Sequence, residues 1–184
     1  MDKAGFTLLE VIFVMAVTVI LAGMAVPQTM ASVDRSRAWA ATRYLASRMA
    51  LARMQAVGRS ATVGLRFAGD EGQWEFDTFV DGNRNGVLTR EIASGVDRRL
   101  DPPTRLSDLF PGVVIGLSED EGGDPVQTGS SSLMSFTPVG TATSGTIYIR
   151  GRDGSRFAVR VLGATGRTRV LRLVPGTDDW SEMP

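Results

Sequence analysis

The sequence contains neither cysteine nor histidine. Their absence excludes disulfide bonds, thiol nucleophiles, zinc sites built from Cys and His, and every catalytic triad that needs an imidazole. The sequence also contains no pair of carboxylates arranged as a catalytic motif. Most of the common catalytic chemistry is thereby removed, so we expect a protein that is not an enzyme and that carries no cofactor.

Charge is balanced overall but segregated along the chain. Lys+Arg and Asp+Glu both number 20, so net charge predicts no bulk attraction to nucleic acid or to a membrane. Between Asp34 and Arg59 one acid accompanies six arginines, whereas four acids cluster within residues 119–124. With 184 residues, the chain is long enough for one domain with a real core plus one long accessory element.

Residues 6–26 are almost wholly apolar, and Glu10 is their one charged member. As a helix this segment is about 31 Å long, which matches the hydrocarbon core of a bilayer. The residues before it are too few and too weakly basic for a secretory signal peptide, so a membrane anchor is favoured. Within hydrocarbon, the carboxylate of Glu10 costs about 2.5–3.5 kcal/mol and needs a charge partner. The alternative is that Glu10 lies at the headgroup boundary.

The string GFTLLEVI at residues 5–12 resembles the processing site of type IV prepilins and type II secretion pseudopilins. The resemblance implies that a prepilin peptidase cuts between Gly5 and Phe6 and methylates the new amine of Phe6. It also implies that Glu10 pairs with the N-terminal ammonium of an adjacent subunit, since an ion pair is stronger in a low dielectric.

The same resemblance implies a single-pass protein of the bacterial inner membrane, with its leader in the cytoplasm and its C-terminal domain in the periplasm. Counting Lys3 against the arginines that begin at Arg35, the positive-inside rule favours the opposite orientation. Pro27 fits the proline that bends or locally melts this helix in the family, because its missing N–H leaves the Gly23 carbonyl without a helical donor.

Beyond Pro27 the helical period continues as one apolar stripe. Its members follow spacings of four, four, three and four: Ala41, Leu45, Met49, Ala52 and Ala56. Gly58 is the expected stop. We therefore predict a nearly continuous helix over residues 6–57, about 78 Å long, whose first half lies in lipid and whose second half packs on a globular domain.

From Ala61 the apolar period changes to two, which indicates a strand through Val63. Further strands are predicted at residues 74–80, 113–117, 133–136, 146–150, 157–162 and 170–174. Residues 151–154 are typical of a tight hairpin. Pro102-Pro103 and residues 122–132 are predicted as surface loops. Strands that recur without helices between them predict an antiparallel sheet or sandwich, and hence an α+β fold.

The C-terminal half resembles the GspH/FimT group of minor pseudopilins and minor pilins. The resemblance rests on residues 74–91, on SFTPVGTA at 135–142, on GTIYI at 145–149 and on TGRTRV at 165–170. It implies a leader at residues 1–5, a helix at 6–58 with its transmembrane part at 6–26, and a β-rich periplasmic domain at 59–184. The implied function is a structural subunit of a type II secretion pseudopilus or type IV pilus, with other pilin subunits as partners.

Two constellations leave alternatives open, and the first resembles a calcium loop. Asp81, Asn83, Asn85 and Glu91 stand around Gly86 in the pattern D-x-[DN]-x-[DN]-G. The acid comes one position too early for an EF-hand, and the flanks are predicted strands. A plain turn explains the same residues and is the favoured interpretation.

The second constellation is basic. Seven arginines lie within residues 150–172, and Gly166-Arg167-Thr168-Arg169 resembles a motif of FimT-like minor pilins that take up DNA. Arg167 and Arg169 are therefore candidate phosphate contacts. Arginines that alternate with apolar residues are also typical of any solvated sheet face, which is the favoured interpretation, and few aromatic residues accompany them for base stacking. Besides a structural pilin subunit and a DNA-binding minor pilin, the sequence leaves a third function open, that of an unrelated single-pass membrane protein with a β ectodomain.

Overall fold

The computed structural model describes Gly5 and residues 7–69, 73–118, 122–129 and 131–183. Helix α1 runs without a break over Leu8–Arg59 and ends at Ser60, which adopts a left-handed conformation with φ 52°. The predicted stop at Gly58 is therefore wrong by two residues. The amide of Ser60 donates to the carbonyls of Ala56 and Val57, so the turn closes the helix through backbone groups and does not need a glycine.

The remaining elements are short. In chain order they are β1 (Val63–Ala68), β2 (Glu75–Val80), α2 (Thr89–Ser94), β3 (Arg98–Arg105), α3 (Leu106–Leu109), β4 (Val114–Ile115), β5 (Val126–Gln127), β6 (Leu133–Phe136), β7 (Gly145–Arg150), β8 (Arg156–Leu162), β9 (Arg167–Leu173) and β10 (Trp180–Met183). A long helix followed by antiparallel strands confirms the predicted α+β fold.

The strands form two antiparallel sheets. The first has the order β3-β2-β1-β6, and the second has the order β10-β9-β8-β7-β4, with β5 also paired to β7. Strand β6 pairs with β1 although many residues separate them, with Val63 opposite Phe136. The predicted hairpin at residues 151–154 joins β7 to β8, and the Gly151 amide donates to the Ser155 carbonyl at 2.9 Å.

The core lies where both sheets meet the C-terminal part of α1. The predicted helical stripe is fully buried and extends one turn further toward the N-terminus, to Ala38. The ring of Trp39 lies 5.9 Å from that of Phe157 in the second sheet. The ring of Tyr44 lies 6.5 Å from that of Phe76 in the first. Helix α1 thereby joins the two sheets into one folded unit.

Two predicted loops were wrong. Pro102-Pro103 lies inside β3, because β3 is the edge strand of its sheet and an edge position tolerates the missing amide of proline. Within residues 122–132, Val126 is buried and pairs with Ile147 as strand β5. Strand β10 and helix α2 were not predicted, because both are short and carry no strong apolar period.

Candidate assembly segment and charged surfaces

The residues expected to be processed immediately precede α1 in the chain. Gly5 is exposed and lies outside any helix or strand, whereas Phe6 falls outside the described residues. Thr7 is the N-cap, and its Oγ1 accepts a hydrogen bond from the backbone amide of Glu10 at 3.3 Å. Thr7 was not singled out from the sequence, although Thr-x-x-Glu before an apolar run is the signature of a capping box. This hydrogen bond uses the backbone amide of Glu10 and not its side chain. The Glu10 residue is exposed.

The two halves of α1 differ in what covers them. In the exposed half (residues 8–33) large apolar side chains have no protein cover: Leu9 is 79% exposed and Phe13 66%. In the packed half (residues 34–59) Leu45 and Met49 are fully buried. Within the described residues, α1 is the one helix long and apolar enough to cross a membrane. A helix that is apolar all round and uncovered requires lipid or partner protein around it.

Pro27 lies inside the helical run, which continues through it without interruption. Local melting at this proline is therefore not present in this structure. The predicted bend stays a prediction. The helix is retained because proline removes a single hydrogen bond, whereas the turns on either side keep theirs.

Arginines of the packed half are engaged by the globular domain. The guanidinium of Arg35 lies 3.5 Å from the Asp153 carboxylate, and that of Arg48 pairs with Asp101. Arg53 donates to the Gly140 carbonyl at 3.4 Å. These contacts explain why a helix next to an apolar segment carries so many arginines: several of them attach it to the strands and loops of its own domain.

The four residues of the calcium-like pattern lie close together, but their polar groups form hydrogen bonds within the turn itself. Asp81 accepts hydrogen bonds from the backbone amides of Asn83, Arg84 and Gly86 at 2.7–3.0 Å. The side-chain amides of Asn83 and Asn85 donate to the two oxygens of Glu91. This arrangement is that of a hydrogen-bonded turn, which is the interpretation favoured from the sequence.

Arg167 and Arg169 lie on the same side of β9, because side chains two apart in a strand share a face. We call this side the arginine face; it is opposite the side on which Phe157 contacts Trp39 of α1. Its arginines are Arg150, Arg156, Arg160, Arg167 and Arg169. The guanidinium of Arg169 lies 3.1 Å from Glu182 on β10, so one of the two candidate contacts is already an ion pair.

Two aromatic residues share this face with the arginines, in keeping with the expectation that they are few. Tyr148 on β7 and Trp180 on β10 meet edge to face, with ring centroids 5.6 Å apart. By the strand register both rings share the side of Arg160 and Arg169. This pair could not be predicted, because β10 was not expected and its register with β9 was unknown.

Gly166, the first residue of the Gly-Arg-x-Arg string, has a packing role. It has a φ of +59°, and a Cβ at this position would lie 2.4 Å from the Gly140 carbonyl oxygen and 3.1 Å from Nε of Arg53. Only glycine fits both the conformation and the space. Packing and backbone conformation therefore explain the glycine of the Gly-Arg-x-Arg string without any ligand.

Comparison with known proteins agrees with this architecture of an apolar N-terminal helix segment and a small β domain. A family described as type II transport protein GspH matches residues 41–166, and the prokaryotic N-terminal methylation motif matches residues 1–26. The chain belongs to the GspH family, which sets aside the alternative of an unrelated single-pass membrane protein.

Two similar proteins are informative. The pilin-like protein PilA1 of Thermus thermophilus is 38% identical over 85 residues, which cover 46% of this chain and 53% of PilA1. The chain thus spans about half the length of that curated relative. The structure of the minor pseudopilin EpsH from the type 2 secretion system of Vibrio cholerae matches with a TM-score of 0.50 at 15% identity, covering 77% of this chain and 99% of EpsH. This second likeness supports the fold.

Proposed function

We propose that the protein is a GspH-type minor pseudopilin or minor pilin, a structural subunit that assembles into a type II secretion pseudopilus or a type IV pilus. The observation that carries the proposal is the uncovered apolar half of α1 joined to a folded β domain. The exposed half of α1 can be covered in two ways: by the bilayer before assembly, and by the packed helices of other subunits afterwards. The proposed work is assembly, not catalysis.

In this proposal the chain is a single-pass protein of the bacterial inner membrane with its β domain in the periplasm. A prepilin peptidase removes residues 1–5 and methylates Phe6. The exposed position of Gly5, outside any helix or strand, is compatible with access by a peptidase. Replacing Gly5 by a bulky residue should leave the unprocessed chain in the membrane. N-terminal sequencing that finds Met1 on filament-associated protein would overturn the processing step.

Glu10 is the proposed assembly contact. Its carboxylate is exposed on an apolar helix, where a cationic partner on another subunit would relieve the cost of desolvation. The candidate partner is the N-terminal ammonium of Phe6 on an adjacent subunit.

The Glu10→Leu variant tests this contact while sparing the cap, because the hydrogen bond to Thr7 uses the backbone amide. We expect normal membrane insertion and at least a tenfold loss of incorporation into filaments, which corresponds to about 1.4 kcal/mol of lost contact. The Glu10→Asp variant keeps the charge and should lose less. Incorporation of Glu10→Leu at the wild-type level would exclude the carboxylate as an assembly contact.

DNA binding is a second candidate function, favoured by one observation: the arginine face also carries the Tyr148–Trp180 pair. Guanidinium groups beside aromatic rings suit phosphates and bases of a nucleic acid. A labelled duplex would be titrated with the full-length chain in detergent at two salt concentrations. Removing both Arg167 and Arg169 should weaken binding of all sequences alike and flatten the salt slope by up to about two units.

The matched control for the DNA experiment removes Arg90 and Arg98 instead, two exposed arginines outside the arginine face. If this control weakens binding as much as the Arg167/Arg169 variant, attraction is a general effect of charge. Unchanged binding in the Arg167/Arg169 variant would show that the arginine face is a solvated sheet surface and not a DNA-binding site.

A further inference from the structure

A small cavity lies at the end of the β domain where α1 leaves it. It has a volume of about 280 Å³, and its lining includes Arg35, Asp153, Ser155, Arg156 and Arg172. We call it the basic cavity. Its floor is the β7–β8 turn, which approaches the helix so closely that a Cβ on Gly151 would lie 2.9 Å from that of Ala38. The cavity is therefore held between the turn, strand β9 and the first packed turn of α1.

The helix fixes where this cavity stands relative to the apolar segment. Because α1 is continuous, Arg35 lies nine residues beyond Val26, the last residue of the apolar run, or about 13 Å along the axis. The headgroup layer on each side of a bilayer is about 5–8 Å thick. A guanidinium on a long side chain reaches several ångströms toward that layer, and helix tilt brings the domain closer.

Charge in and beside the cavity is positive. Asp153 is the one acid in its lining; its carboxyl group is 5% exposed, accepts hydrogen bonds from Ser155 and lies 3.5 Å from Arg35. The guanidinium of Arg172, which lines the cavity, forms no hydrogen bond or ion pair with any described residue. The same holds for Arg152, which projects from the turn beside Asp153 and packs on Gly112. Two guanidiniums thus stand without an anion at this end of the domain.

The neighbourhood also has the amphipathic character of a membrane interface. A second cavity, of about 190 Å³, shares Arg35 and Arg172 with the basic cavity and is further lined by Trp39, Phe157 and Met183. Tryptophan and arginine side chains are enriched at the level of lipid headgroups, where one end of the residue is apolar and the other is wet.

We propose that the basic cavity binds the phosphate of an anionic phospholipid in the leaflet from which α1 emerges. Arg172, which lines the cavity, is the principal phosphate contact, and Arg152, on the adjacent turn outside the lining, adds positive charge near the headgroup. The inference rests on the membrane anchoring proposed above. It gives the β domain a defined contact with the bilayer before assembly. It also assigns a role to arginines next to a membrane helix on the side where the positive-inside rule does not expect them.

The test measures lipid preference of the full-length chain. Native mass spectrometry in detergent would give the affinities for phosphatidylglycerol and for phosphatidylcholine with the same acyl chains. We expect phosphatidylglycerol to bind more tightly, and its preference to fall about fivefold for each guanidinium removed in Arg152→Ala and Arg172→Ala. Arg172→Lys keeps the charge and should keep most of the preference. Arg90→Ala, on helix α2 and outside the lining of the basic cavity, should change nothing.

Three results would overturn the inference. Equal affinity for the two lipids means that the cavity does not select an anionic headgroup. Displacement of phosphatidylglycerol by millimolar inorganic phosphate means that it is a site for a small anion. If the chain fails to float with liposomes, anchoring itself is wrong, and the proposed function fails with it. If the chain floats but shows no lipid preference, only the present inference fails.

Discussion

The exposed half and the packed half of α1 share one backbone geometry but differ in what surrounds them. In the exposed half apolar residues cover the whole circumference, and Leu21 is 61% exposed. In the packed half the apolar residues form one fully buried stripe, which includes Leu45 and Met49. The same helix is therefore matched to two environments, one supplied by the β sheets and the other outside the subunit.

Small residues make the packed half possible. Ala38, Ala41, Ala52 and Ala56 are buried and let the helix approach the sheets closely. The exposed half contains larger side chains, because nothing within the subunit has to approach it. Substitutions that are equivalent in chemistry should therefore have unequal effects in the two halves.

Truncation should have the largest effect. A chain that starts at Ser32 keeps the packed half and should be soluble and folded. A chain that starts at Arg59 loses the buried stripe, exposes the sheets and should aggregate. Circular dichroism and size-exclusion chromatography of the two fragments check this. A well-behaved monomer starting at Arg59 would mean that the packed half is not part of the core.

A matched pair of leucines should give the next largest effect. Leu45→Ala leaves a cavity in the core and should lower the free energy of unfolding of the β domain by about 2–5 kcal/mol. Leu21→Ala removes the same atoms from the exposed half and should leave it unchanged. Chemical denaturation of both full-length variants in detergent measures the difference. Equal effects would contradict the division between the halves.

A matched pair of glycines extends the comparison to close packing. Gly166→Ala places a Cβ against the Gly140 carbonyl and Arg53 at a positive φ, and should cost about 1–3 kcal/mol of unfolding free energy. A Cβ on Gly23, in the exposed half, meets nothing within 4 Å, so Gly23→Ala should favour the helix without affecting domain stability. Thermal unfolding checks both. A neutral Gly166→Ala would show that the turn has room to relax.

Arginines of the packed half should give the smallest effect. Arg48→Ala breaks a partly exposed ion pair with Asp101 and should cost about 0.5–1 kcal/mol. Arg43 is exposed and lies over the Trp39 ring at 5.8 Å, so Arg43→Ala should cost less. Denaturation at two salt concentrations separates them, because added salt should reduce only the Arg48 contribution. A larger loss for Arg43→Ala would reverse the ranking.

Much of the fold was predictable because its signals are local. The helix of Leu8–Arg59 followed from an apolar run and a stripe with helical period, and the strand at Leu133–Phe136 has its predicted bounds. The hairpin before β8 followed from glycines around an aspartate. Strands β5 and β10 were missed, because each is short and owes its existence to pairing with a neighbour that its own residues do not specify.

The candidate sites divide in the same way. Gly5 and Glu10 were found through a contiguous motif, whereas the roles of Thr7 as a cap and of Gly166 as a packing position required coordinates. The basic cavity joins Arg35 to residues more than 100 positions away, and no spacing along the chain indicates that proximity.

Composition and periodicity are properties of neighbouring residues, so they specify the long helix, its apolar first half, the processing motif and the change to strands near residue 61. The pairing of the strands, the place of Pro102-Pro103, the carboxylates bound by the arginines of α1 and the rings on the arginine face depend on long-range contacts. Those contacts join residues far apart in the chain, so they depend on how the two sheets close around the packed half.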